Sequence, residues 1–230
     1  MLFHSFSKSK FKNDQFQICI EGRKIEQVNV TKFLGVLIDE NLNWKRHIEY
    51  TANKIAKVVG IMIKARLYLC RKTLVNLYYT FAYPYFTYCN TLWSSTYPSN
   101  LKILERLQKK IIRIITFSHP QSHSLPLFNS LDIMPFPKIN VYLTGIFMHK
   151  HKTNKLPIIF HNFFTINAEI HAHNTRQKHK YHINTVKCNR SKFSIKYHGP
   201  SVWNNIPEFL TDIPNSNLFK RKYKDFLQTT

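Results

Sequence analysis

Over roughly the first forty residues apolar side chains tend to alternate with polar ones, most clearly at Phe16, Ile18 and Ile20. A two-residue period marks a strand with one face covered. Short strands are predicted over "MLFHSF", "FQICI" and "KFLGVLI", with "EGRKI" supplying a turn between the second and a small intermediate strand. A sheet this small is marginal alone, so the opening reads as the edge of a larger sheet. From Asn43 the period changes. At about 100° per residue, Trp44, Ile48, Ile55, Val58, Val59 and Met62 share one face, while Arg46, Asn53, Lys57 and Lys64 share the opposite one. Asn43 is placed to cap the amides of the first turn.

A second helix repeats this arrangement. In "PSNLKILERLQKKIIRIITF", Ser99 or Asn100 is a cap candidate and Ile103, Leu104, Leu107, Ile111, Ile114 and Ile115 form the apolar stripe. Lys102, Arg106, Lys109, Lys110 and Arg113 gather on the other side, opposed by Glu105. Between the two helices, Leu74, Leu77, Tyr78, Phe81 and Tyr85 keep helical spacing, which predicts a core layer beneath both. Its buried hydroxyls will need partners. Beyond Phe117, Pro120, Pro126, Pro135 and Pro137 break the pattern before a further helical run from Ile139 to His149. Order returns with "GPSVWNNIPEFL", where Trp203 is a core anchor, and with a short amphipathic helix carrying Leu218, Phe219, Tyr223 and Phe226.

The predicted class is therefore α+β and mainly α. A small N-terminal antiparallel sheet occupies 1–42 and a helical bundle 43–150. A basic, His-rich linker or arm follows over 151–196, then a Trp-containing helical segment over 197–230. The region after 150 is expected to be irregular.

Charge narrows the function. Thirty-four Lys and Arg against twelve Asp and Glu give a formal +22 over 230 residues. Such an excess repels itself in a compact fold unless an anion neutralises it, which points to nucleic acid or an anionic surface. With 43% apolar residues the chain can bury a core and is no disordered tail. No stretch approaches the ~18 apolar residues of a membrane span, and the Met1 end lacks the apolar run of a signal peptide. "LVNLYYTFAYPYFTYCNTLW" comes nearest, but Asn76, Pro84 and Asn90 make it a Pro-broken buried segment. Cys19, Cys70, Cys89 and Cys188 are widely spaced, which favours reduced, intracellular thiols.

Chemistry is sparsely represented. Asp39 and Glu40 are the one adjacent acidic pair, and two-metal catalysis needs several carboxylates around ions about 4 Å apart. The pair admits a cryptic metal-dependent nuclease or transferase site. It equally admits a strand-to-helix corner in which Asp39 and Asn43 offer oxygens to exposed amides, and this requires less. In "HAHNTRQKHKYHINTVKC", His171, His173, His179, His182 and Cys188 are acceptable zinc ligands, but their spacing matches no compact zinc module. A basic arm touching phosphates, with Arg176 as its planar anion-binding group, fits better.

The succession "KFLGVLIDENLNWKRHI", "LYYTFAYPYFTYCNTLW", "LERLQKKIIRII", "HNTR" and "GPSVWNNIP" resembles the C-terminal part of a reverse transcriptase from a non-long-terminal-repeat, jockey-like retrotransposon. The resemblance implies that Phe33, Leu34, Gly35 and Val36 belong to a primer-grip hairpin beside a palm remnant. Gly35 would let backbone and nucleic acid approach. The helices that follow would be thumb-like, with Arg46, Lys57, Lys64, Arg106, Lys110 and Arg113 facing an RNA/DNA primer–template duplex. Members of the family hold Mg2+ on palm aspartates, including a Tyr/Phe-Ala-Asp-Asp turn, and no such turn occurs here. The resemblance places this sequence just after those strands. It predicts a fragment with no catalytic or metal residue and no cofactor of its own, which binds duplex without polymerising alone, or a non-functional remnant. The missing palm and fingers are the further partner implied, with a cytoplasmic or nuclear setting.

Overall fold

The computed structural model describes residues 18–170 and 176–229. The predicted strand "MLFHSF" lies outside them, as do His171 and His173. The chain is mainly helical, with a small antiparallel N-terminal region. Two separate hairpins open it. β1 (Cys19–Ile20) pairs with β2 (Arg23–Lys24), and β3 (Val30–Phe33) with β4 (Val36–Asp39), in the register Phe33↔Val36 through Val30↔Asp39. "KFLGVLI" is therefore folded back on itself. Leu34 and Gly35 both have positive φ (44° and 82°), as do Glu21 and Gly22 in the first hairpin. Two positive-φ residues give the turn whose twist matches that of paired strands, and glycine meets this at no steric cost.

Helix α1 (Lys45–Ala65) buries Ile48, Ile55, Val58, Val59 and Met62, the face its periodicity predicts. Helix α5 (Pro98–Ile115) packs beside it and buries Leu104, Ile111, Ile114 and Ile115. Its stripe is shifted from the predicted one, because Ile103 is exposed and Leu107 half-buried, while Ile112 and Gln108 point inward. The helix starts earlier than Ser99 or Asn100. Tyr97 stands at its N-cap with Pro98 in the first turn, where the missing N–H and fixed φ are no handicap.

The Tyr-rich layer lies against both helices. It runs as α2 (Arg71–Leu77), one π-helical turn (Tyr78–Ala82) and α3 (Tyr83–Thr87), followed by α4 (Asn90–Trp93). Leu74, Tyr78, Ala82 and Phe86 are its buried residues, whereas Phe81 and Tyr85 face solvent. A regular helix drifts about 40° with each step of four residues, so such a row would spiral off the core. The wider π turn takes up the drift, which is why α-helical spacing misplaced Phe81 and Tyr85. The Tyr78 hydroxyl accepts from Gln108 Nε2 at 2.9 Å, and Gln108 also donates to Met134 O and accepts from Phe136 N.

After α6 (Ser124–Ser130), α7 (Phe136–Lys152) runs from this main core into a second one. That core gathers Met148, Phe164, Tyr181, Trp203, Leu210, Phe219 and Tyr223. It is built with α10 (Ile195–Trp203), α11 (Glu208–Thr211) and α12 (Ser216–Thr229), while Ile158–Phe160, α8 (Asn167–Ile170) and α9 (Asn189–Phe193) are short turns around it. The segment expected to be a linker or arm is anchored within it. An isolated bridge joins Ile166 to Tyr181, and the Tyr181 backbone exchanges hydrogen bonds with the Asn204 side chain. No helix among the described residues is long and apolar enough to cross a membrane.

Candidate nucleic-acid interface

Because α1 and α5 bury facing stripes against a shared core, their remaining faces are turned to solvent with the cations on them. Lys57 and Lys64 on α1, and Arg106 and Lys110 on α5, are exposed and make no ion pair among the described residues. Arg46 has Glu49 at 4.0 Å, a solvent-exposed pair that holds it only weakly. Arg113 differs from expectation. It is half-buried and its Nε donates to Ser122 O at 2.9 Å, so it straps the loop after α5 as well as carrying charge. Arg176 is exposed in a turn between α8 and α9.

The hairpin tip adds a different surface. Phe33 is 62% and Leu34 74% exposed, whereas Val36 belongs to the main core and anchors the hairpin from within. The Tyr88 hydroxyl donates to Leu34 O at 2.6 Å, tying the tip to the Tyr-rich layer. A side chain at Gly35 would meet the Tyr88 ring only in ordinary contact, at 3.6 Å. Its positive φ, rather than space, is what calls for glycine. At the base, Leu37 N donates to Nδ1 of His47, whose pKa is lowered by burial. Lys32 and Lys54 both lie over the Tyr50 ring, at 5.8 and 5.4 Å, so hairpin and helix contribute charge to one spot. Sequence reasoning did not single out these two lysines, since only the fold brings β3 to α1.

The acidic pair marks a corner. Asp39 is 5% exposed, with Oδ1 accepting from Asn41 N and Asn43 N at 3.1 and 3.2 Å and Oδ2 accepting from Trp44 N at 3.0 Å. Asn43 Oδ1 accepts from Lys45 N at 2.9 Å. The chain can thus turn from β4 into α1 with Trp44 at φ 63° and its first amides satisfied. These are the roles that the corner reading gave Asp39 and Asn43. Both Asp39 oxygens are engaged by backbone amides. Among the described residues no group of three or more His, Cys, Asp and Glu could hold a metal ion. His182 Nδ1 lies 3.0 Å from Asn167 Oδ1, and Cys188 Sγ 3.0 Å from Ser191 Oγ. All four cysteines are free and exposed.

Known proteins add one informative likeness. The chain is 28% identical over 102 residues to the probable RNA-directed DNA polymerase from transposon X-element of Drosophila melanogaster. The match covers 43% of this chain and 11% of that protein, so the chain corresponds to a small part of it. No family model matches the chain, and no solved structure does.

Proposed function

We propose that the chain is the primer-grip and thumb-like part of a retrotransposon reverse transcriptase of the non-long-terminal-repeat kind, and that it grips a primer–template duplex. The observation that carries this reading is the set of exposed cations on the outer faces of α1 and α5, two helices fixed side by side by one core. The likeness to a transposon RNA-directed DNA polymerase supports it. Arg46, Lys57, Lys64, Arg106 and Lys110 contact phosphates and displace condensed counterions, which gives affinity without sequence preference. The exposed tip, Phe33 to Gly35, lies toward the primer end in this reading, and Val36 holds the hairpin in place.

Bond formation is left to carboxylates that this sequence does not carry. No Ala-Asp-Asp turn occurs in it, and Asp39 is occupied in the corner. The chain alone therefore binds duplex without extending a primer. Titration of a short RNA–DNA duplex at several salt concentrations tests this. Affinity should fall with a log–log slope of about −0.9 for each phosphate neutralised, so that four to five contacts give about −4. A flat dependence, or no binding at low salt, would refute the reading.

A further inference from the structure

Between α1 and α2 the surface carries two large apolar side chains that serve no core. Leu67 is 76% and Tyr68 85% exposed. The loop that presents them is well tied. Leu67 N donates to Lys64 O, Tyr68 N and Leu69 N both donate to Ala65 O, and Leu69 packs against the main core. The guanidinium of Arg66 lies 5.3 Å from the centre of the Phe117 ring, bracing the turn from α5's end. Leaving such groups in water forgoes burial free energy in the isolated chain.

The surroundings indicate what covers them. Lys64, Arg66, Arg71 and Lys72 flank the pair, and no Asp or Glu occurs between Glu49 and Glu105. Along α1, Lys57 and Lys64 stand seven residues apart, about 10 Å, and lead in a line to this tip. We propose that Leu67 and Tyr68 form an apolar wedge that enters the minor groove of a nucleic-acid duplex and parts a base step, while the flanking cations hold the phosphates on either side. Proteins that unstack DNA combine these two elements, an inserted apolar side chain and basic contacts to the adjoining backbone. A line of charge ending in a two-residue wedge suits a rod of phosphates. A lipid surface is instead bound by a broad apolar helix face; the main apolar stripes of α1 and α5 are buried, and Ile61, Ile63 and Ile103 are the large apolar side chains left exposed on them.

This inference rests on the duplex-binding reading, and its test separates the two. The full chain is titrated with a perfect duplex and with the same duplex carrying one mismatch. A weakened step is cheaper to part, so the mismatched duplex should bind about tenfold tighter. The double variant Leu67→Ser, Tyr68→Ser should lose that preference and keep the salt slope. The matched control Ile158→Ser, Ile159→Ser, whose side chains are equally exposed, should keep both. All four positions lie outside the cores, and an unchanged circular-dichroism melt verifies folding. Equal affinity for the two duplexes, or a preference that survives the Leu67 and Tyr68 changes, overturns the wedge while leaving duplex binding intact. Tight binding to phosphatidylserine vesicles that depends on Leu67 and Tyr68, with duplex affinity unaffected by them, also overturns it. Absence of any duplex binding removes both readings.

Discussion

Two sets of lysines, one tying the C-terminal helices and one on the outer faces of α1 and α5, are used in different ways. Around the second core and its junction with the main core, four lysines act as staples. Lys138 Nζ donates to Leu227 O at 2.6 Å, Lys152 to Thr211 O and Asp212, Lys155 to Ser216 Oγ, and Lys224 to Asp132 at 2.7 Å. Asp132 feels its partner, since the Lys224 hydrogen bond holds its carboxyl below the usual range. On the outer faces of α1 and α5, Lys57, Lys64, Arg106 and Lys110 have no such contacts among the described residues. The apolar faces of these helices already fix them, so their cations remain available to an outside anion. The same residue type thus joins distant segments in one set and faces outward in the other.

The sharpest way to break this contrast is to change each set in turn. Replacing Lys57, Lys64, Arg106 and Lys110 by Glu should abolish duplex binding at moderate salt; replacing them by Gln should reduce the salt slope by about 3.6. Thermal unfolding should be little affected by the Gln set, as expected for exposed sites. Changing Lys138, Lys152, Lys155 and Lys224 to Met should do the reverse, with stability falling by about 1–3 kcal/mol and the salt slope retained. Equal loss of binding in both sets would show that only total charge matters.

Within the second core, Phe219→Ala should cost about 3–5 kcal/mol in chemical denaturation, because its ring stacks on His149 at 4.2 Å and meets Trp203 and Tyr223. At the corner, Asp39→Ala removes the acceptor for three amides and should cost about 2 kcal/mol by the same measurement. A larger loss at the corner than at Phe219 would mean that the hairpin, rather than the second core, limits stability.

The smallest effect concerns pH. Burial lowers the pKa of His149, reinforced by Lys155, Lys152 and Lys220 and opposed by its hydrogen bond to Ile213 O. Burial likewise lowers that of His198, which hydrogen-bonds Asn140 Oδ1 at 2.8 Å. Both imidazoles bind protons less readily in the folded chain than at the ordinary value of about 6.5. Stability present above about pH 6.5 should therefore decline as pH falls below it, since the unfolded chain takes up protons first. Unfolding midpoints measured across that range should show the decline, and His149→Gln with His198→Gln should reduce it, leaving the part due to His47.

Periodicity alone gave the buried face of α1 and the exposed positions of Arg46, Lys57 and Lys64, because one register of a regular helix decides both. Local chemistry gave the corner, since the Asp39 and Asn43 oxygens act on amides only two to five residues away. Tertiary structure decided what depends on distant partners or on departures from regular geometry. The π turn exposed Phe81 and Tyr85, the Leu34–Gly35 turn made two strands of one apolar run, and Ser122 engaged Arg113. Packing also fixed Phe164 and Tyr181 within a segment whose composition read as an arm. Composition set how much cationic charge the chain carries. Which cations are spent on the fold depends on carbonyls and carboxylates up to 92 residues away, and no local pattern encodes that distance.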